Sequence, residues 1–170
     1  MSLAEECVKS LKEKGLTIAT AESCTGGLLA SAFISVPGSS ECFKEGCVTY
    51  SNESKISRLG VSSETIEKYT AVSTETAIEM AKGIKRNLNA DIGISTTGYA
   101  GPGGGDSMNP VGTVYVGISF KEKNFCYRLL LNGSRNQIRE QAAEQAMEFL
   151  MEQLSMNTKN SFEQSAAYEY

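Results

Sequence analysis

The 170-residue sequence contains no histidine and no tryptophan, and only three prolines. Without histidine it lacks both the usual general base and the commonest nitrogen ligand for zinc. The five cysteines (Cys7, Cys24, Cys42, Cys47 and Cys126) are odd in number, scattered, and form no C-x-x-C pair. No zinc site is expected, and most of the cysteines read as small buried apolar residues of a reducing compartment, with Cys24, beside Ser23, the exception. Positive charge is also scarce: 16 Lys and Arg against 20 Asp and Glu give a net charge of -4. That balance supplies no basic field for nucleic acid. No apolar run approaches the roughly 18 residues that span a bilayer, and the N-terminus has no signal-peptide core. The expectation is a cytoplasmic protein with no membrane or nucleic-acid partner.

What is present is the composition of an ordinary globule, 41% hydrophobic and 21% charged, at a length that suits one domain with a sizeable core. Leu3, Cys7, Val8 and Leu11 recur at helical spacing, and Gly15 stops the helix near Lys14. Leu16 to Thr20 reads as a buried strand, Thr25 to Ile34 as a small-residue helix, and Cys42 to Tyr50 as a second strand. A short helix follows from Asn52 towards Leu59. Ser62 or Ser63 caps another helix ending at Tyr69, and Ser73 or Thr74 caps one with Ala77, Ala81, Ile84 and Leu88 inward. Asp91 to Thr96 is a strand entering a glycine-rich loop. Val111 to Phe120 and Phe125 to Leu131 form a hairpin turning at Glu122-Lys123-Asn124. Ser134 caps a last helix, and periodicity fades into a polar tail from Ser155. The pattern predicts an α/β fold of three layers, a mixed sheet covered by helices on both faces. The domain spans 1–154 and the tail 155–170.

Three segments carry candidate chemistry. Ser23, in Ala21-Glu22-Ser23-Cys24-Thr25-Gly26-Gly27, stands where a strand gives way to a helix. That position presents a side chain at the carboxyl edge of a sheet, beside helix N–H groups that favour developing negative charge. It is also where a plain N-cap serine would stand. In a chain without histidine, a serine nucleophile must take its proton to another base, and lysine is the usual substitute. Lys55, five residues beyond Tyr50, is available, either as that base or as an exposed helix lysine. To act as a base it must be desolvated, because a free lysine has a pKa near 10.4. The segment from Thr96 to Gly105 is neither a P-loop nor a dinucleotide fingerprint. Its backbone suits an anion cradle or a flexible connection equally. Arg135 and Arg139, one turn apart at the start of the last helix, suit a phosphate or an ordinary surface.

In combination and in order, Ala-Glu-Ser-Cys-Thr-Gly-Gly at 21–27, Val-Thr-Tyr-Ser-Asn-Glu-x-Lys at 48–55 and Gly-x-Ala-Gly-Pro-x-Gly-Gly at 98–105 are specific. With Pro110-Val111-Gly112-Thr113-Val114 and Gly133-Ser134-Arg135, the set resembles the CinA C-terminal domain family, the PncC-type nicotinamide mononucleotide deamidases, over residues 3–153. The resemblance implies a homo-oligomer, with a dimer favoured, and hydrolysis of nicotinamide mononucleotide to nicotinate mononucleotide and ammonia in NAD recycling. It needs no cofactor and no metal. It implies Ser23 as nucleophile, Lys55 as general base and Tyr50 as a partner orienting or stabilising the pair. Substrate binding would fall to Cys24, Thr25, Gly26, Thr97, Gly98, Gly101, Gly103, Arg135 and Arg139. Many family members carry a further N-terminal domain, whose nucleotide-hydrolysing activity is not expected here. The competing reading is a non-catalytic pyridine-nucleotide-binding module linked to competence or the DNA damage response.

Overall fold

The structure is a computed structural model that describes residues 1–166, with side chains described through Met156. In chain order it contains α1 (Leu3–Glu13), β1 (Ile18–Glu22), α2 (Leu28–Ile34), β2 (Phe43–Val48), α3 (Asn52–Leu59), α4 (Ser63–Tyr69), α5 (Thr74–Asn87), β3 (Ile92–Gly98), β4 (Thr113–Phe120), β5 (Lys123–Leu130) and α6 (Arg135–Ala166). The strands form one sheet in the order β2-β1-β3-β4-β5. β2, β1 and β3 are parallel; β4 and β5 add an antiparallel hairpin. Helices α1, α2 and α6 pack together on one face, and α3, α4 and α5 on the other. This is the three-layer α/β/α arrangement expected from the pattern of elements.

The first face buries the larger core. Ile18, Ile92, Ile94, Val116 and Ile118 of the sheet meet Leu11 of α1, Phe33 of α2 and Leu150 of α6. Opposite, Ala19 and Ala21 of β1 meet Leu59, Met80 and Ile84. The small residues there let α5 lie close on the sheet. At Gly93 an added Cβ would overlap the Ala81 carbonyl, and at Gly117 it would press on the Ala77 carbonyl. The Ser95 hydroxyl fixes the same seat by donating to Ala77 O at 2.6 Å.

Helix ends follow their caps. Ser2 and Glu5 form a capping box on α1, and Ser51 and Ser73 accept from Ser54 N and Thr76 N at the starts of α3 and α5. Ser134 accepts from Gln137 N, whose side chain accepts from Ser134 N, at the start of α6. Several boundaries differ from the sequence expectation, four of them informatively. β1 runs on to Glu22 because a buried carboxylate there is satisfied by the next helix. α2 starts at Leu28 because Gly26 and Gly27 both take positive φ, 59° and 100°. The β4–β5 hairpin turns at Lys121-Glu122, with Phe120 paired to Lys123, two residues tighter than the polar run suggests. α6 continues to Ala166 rather than ending before Ser155, since adding turns to a formed helix is easier than nucleating one; residues 167–170 lie outside the described residues.

The close seat of α5 yields a stability prediction. Gly93→Ala must lift α5 from β3, and overpacking of this kind costs about 1–3 kcal/mol. Urea denaturation should show the lower midpoint with an unchanged slope.

Candidate active site

The carboxyl ends of β1, β2 and β3 lie side by side. The chain leaves β1 towards β2 on one face and later returns to β3 from the other, so β1 stands at a switch point of the sheet. Ser23 follows β1 directly and is held by donation of its N–H to Thr96 O at 2.9 Å. Thr49 extends β2 in the same way, its N–H reaching Glu22 O at 2.9 Å. The pairing register, continued by one residue, sets Thr49, Ser23 and Thr97 in a row along this edge.

Lys55 closes the row. It sits in the first half of α3, is only 1% exposed, and places Nζ 3.1 Å from Ser23 Oγ. The same nitrogen donates to Thr49 O at 2.9 Å and Tyr50 O at 3.0 Å. These contacts suit both protonation states. An ammonium uses the three as acceptors. A neutral amine gives its two hydrogens to the carbonyls, which leaves its lone pair facing the serine hydroxyl. Burial lowers the lysine to about 8, against opposing effects of Cys24 and Glu53. At pH 7 about one molecule in ten then carries the free amine, far more than an exposed lysine would.

Glu22 was not singled out by sequence reasoning, yet it organises the turn. It is fully buried. Its carboxylate accepts from Thr25 Oγ1 at 2.6 Å and from the N–H groups of Gly27, Leu29 and Ala30 at 2.9, 3.1 and 2.7 Å. The start of α2 is thus already occupied by an internal anion, and Gly26 N turns back to Ser23 O at 3.1 Å. The helix N–H groups expected to favour developing negative charge are therefore already engaged. Two other N–H groups, of Cys24 and Thr25, are donated to no oxygen among the described residues. Burial pushes the Cys24 thiol up to about 12, an effect these two N–H dipoles partly oppose. Such buried, unclaimed N–H groups are rare in folded proteins. A charged residue between an apolar strand and a glycine pair was the available signal for Glu22.

The remaining candidates divide. Cys24 is 5% exposed and packs with Ala100, Val114, Ile138 and Ala142, so its side chain is core and its thiol unreactive. The Thr25 hydroxyl is taken by Glu22 and by Thr96 Oγ1 at 2.7 Å. Thr97 is buried and donates to Ala71 O at 2.6 Å. Gly98 pairs with Val114, where a side chain would strike Thr113 O. Tyr50 lends its carbonyl to Lys55, but its ring points outward, 62% exposed, and its hydroxyl accepts from Arg135 Nη2 at 3.1 Å. Arg135 also donates to Gly101 O at 2.6 Å, joining the glycine-rich loop to Tyr50 across the mouth. Gly103 lies on the exposed part of that loop, with no atom within 4 Å of where its Cβ would stand. Arg139 reaches inward to the turn around Ser23. The Thr49 hydroxyl is buried without a partner among the described residues. No group of metal-ligating side chains gathers among the described residues, and no described helix is long and apolar enough to cross a membrane.

Comparison with known proteins adds to this geometry. The model of the CinA C-terminal domain matches residues 1–154. A competence-damage inducible protein of Clostridioides difficile (strain 630) is 55% identical over 141 residues, 83% of this chain and 34% of that protein. A CinA-like protein of Kosmotoga olearia is 52% identical over 149 residues, 88% of this chain and 36% of its own length. The chain thus spans about a third of the curated relatives it matches. Among solved structures, competence/damage inducible protein CihA of Agrobacterium tumefaciens superposes with a TM-score of 0.86 at 37% identity, covering 90% of this chain and 93% of that one. A CinA superfamily protein from Klebsiella pneumoniae 700603 gives 0.88 at 36% identity, covering 91% and 96%.

The buried lysine links the site to stability. Below about pH 8, Lys55 is protonated in both states, and the full penalty of burying its charge is present. Between about 8 and 10.5 the unfolded chain keeps the proton and the folded chain has released it, so stability rises with pH. The gain across that window is on the order of 3 kcal/mol. It should vanish in Lys55→Met, as the difference between the two proteins' urea denaturation curves at pH 7.5 and 10.5.

Proposed function

The chain belongs to the CinA C-terminal domain family, and we propose that it is a nicotinamide-nucleotide amidohydrolase, converting nicotinamide mononucleotide and water to nicotinate mononucleotide and ammonia. The observation that carries this reading is the contact between Ser23 and Lys55, with two carbonyls occupying the other donor positions of the lysine. The pair is a nucleophile joined to a desolvated base, the arrangement that amide hydrolysis requires when no histidine is available.

The neutral Lys55 amine takes the Ser23 proton as Oγ attacks the carboxamide carbon. The oxyanion that forms is received by the N–H groups of Cys24 and Thr25, the residues that follow the nucleophile. Lys55 then passes its proton to the departing nitrogen, the C–N bond breaks, and ammonia leaves a nicotinoyl ester on Ser23. Water attacks that ester with Lys55 again as base, which returns Ser23 and releases the acid. Thr49 O and Tyr50 O keep Nζ in place through both proton transfers. Arg135, exposed at the mouth, is the side chain suited to the phosphate of the nucleotide.

The test is ammonia release from nicotinamide mononucleotide by the purified protein. Ser23→Ala should abolish release while keeping nucleotide binding, and Lys55→Arg, which stays charged, should do the same. For the wild type, kcat/KM should rise with pH and level off above about 8, following the free amine. Nucleotide binding without ammonia release by the wild type would overturn the reading and leave a non-catalytic binding module.

A further inference from the structure

Arg139 is placed to act on the chemistry rather than on the phosphate. It projects from the second turn of α6, and all three of its guanidinium nitrogens are engaged. Nε donates to Cys24 O at 3.0 Å, Nη2 to Thr25 O at 3.0 Å, and Nη1 to Asn136 Oδ1 at 3.1 Å. A Cβ at Gly26 would lie 3.2 Å from Nη2 and crowd the fork, at a residue whose φ of 59° already favours glycine. Unlike Arg135, Arg139 is half-buried, and three of its five N–H groups are already given to the protein, two of them to the turn after Ser23.

The two carbonyls it holds are informative. Cys24 C=O and Thr25 N–H are opposite ends of one planar trans peptide. A cation fixed on the oxygen therefore sets the direction of the N–H and draws electron density away from it. That N–H is one of the two donors that no oxygen claims among the described residues. The next peptide, Thr25 C=O with Gly26 N–H, is held at one end by Arg139 and at the other by Ser23 O. The guanidinium thus fixes both peptides of the turn that follows the nucleophile. Hydrogen bonds in series polarise one another in a low-dielectric site, so the charge strengthens the donor as well as aiming it.

We propose that Arg139 is a positioning residue that orients and polarises the Cys24–Thr25 peptide as an oxyanion donor, and is not the ligand of the substrate's phosphate. This rests on the amide-hydrolysis reading above. Removing a direct oxyanion donor costs about a hundred- to a thousandfold in kcat. An indirect support should cost about ten- to a hundredfold.

The experiment compares wild type, Arg139→Gln and Arg139→Lys on three substrates: nicotinamide mononucleotide, its phosphate-free nucleoside, and the thioamide analogue of the nucleotide. Arg139→Gln should lower kcat about ten- to a hundredfold with KM within about twofold. The same loss should appear on the nucleoside, and the pH midpoint near 8 should stay in place. A thioamide places sulfur where the oxyanion would form and depends less on those donors, so the oxygen-to-sulfur rate ratio should shrink in the variant. Arg139→Lys, which retains a cation near the carbonyls, should recover part of kcat and keeps the test open if the glutamine variant misfolds. A defect confined to KM for the phosphorylated substrate, or an equal loss on amide and thioamide, would overturn the proposal. No ammonia release by the wild type would instead strike the amidohydrolase reading, and this proposal with it.

Discussion

A carboxylate with no access to water must gather donors or give up its charge. Glu22 gathers them from the start of α2 and from Thr25, and the shape of the site follows from that requirement. Its side chain lies on the face that carries α2, so Ser23, the next residue, faces the other layer, where Lys55 waits. Gly26 and Gly27 adopt left-handed φ so that the chain can wrap the carboxylate and still enter a helix. Thr25 ties the same knot to β3 through Thr96. Because the helix terminus is filled from within, the donors left near Ser23 are those of Cys24 and Thr25.

Lys55 is the second buried charge, and it solves the same problem differently. Its acceptors, Thr49 O and Tyr50 O, lie six and five residues upstream, so the base and its holders form one local segment. Only the contact with Ser23 is long in sequence. The cost of keeping an amine away from water lowers its proton affinity, and that cost is what makes a lysine useful near neutral pH. Lys55 therefore subtracts from stability below about pH 8, where it carries a buried charge.

Much of the layered fold was legible in the sequence because apolar periodicity reports burial, and this domain buries its strands and helix faces conventionally. Caps at Ser73 or Thr74 and at Ser134 mark helix starts correctly because each hydroxyl acts locally. The errors fell where distant groups decide. β1 was ended at Thr20 because Glu22 looks like a surface residue unless its donors, five to eight positions later, are known. The nucleophile and lysine candidates, Ser23 and Lys55, stand together in space. Tyr50 contributes its main chain to the lysine, while its ring faces solvent. The composition of the glycine-rich loop suits an anion cradle or a flexible connection equally, and Gly103 lies on its exposed part. Arg135 and Arg139 look equivalent one turn apart on α6, but a helical turn and a half-buried position send their heads to different places.

The close seat of α5 reaches further than stability. α5 rests on β3 and β4 through Gly93 and Gly117, and α3 hangs from α5 where Gly83 meets the Leu59 carbonyl, a contact Arg86 reinforces at 3.1 Å. From Lys55 to Ser23, the route runs through α3, α5, β3 and β1, and its joints are main chain against main chain. The spacing between the backbones that carry Lys55 and Ser23 is therefore gauged by the thickness of the polypeptide main chain, not by side chains that swell, hop between rotamers or drift in sequence.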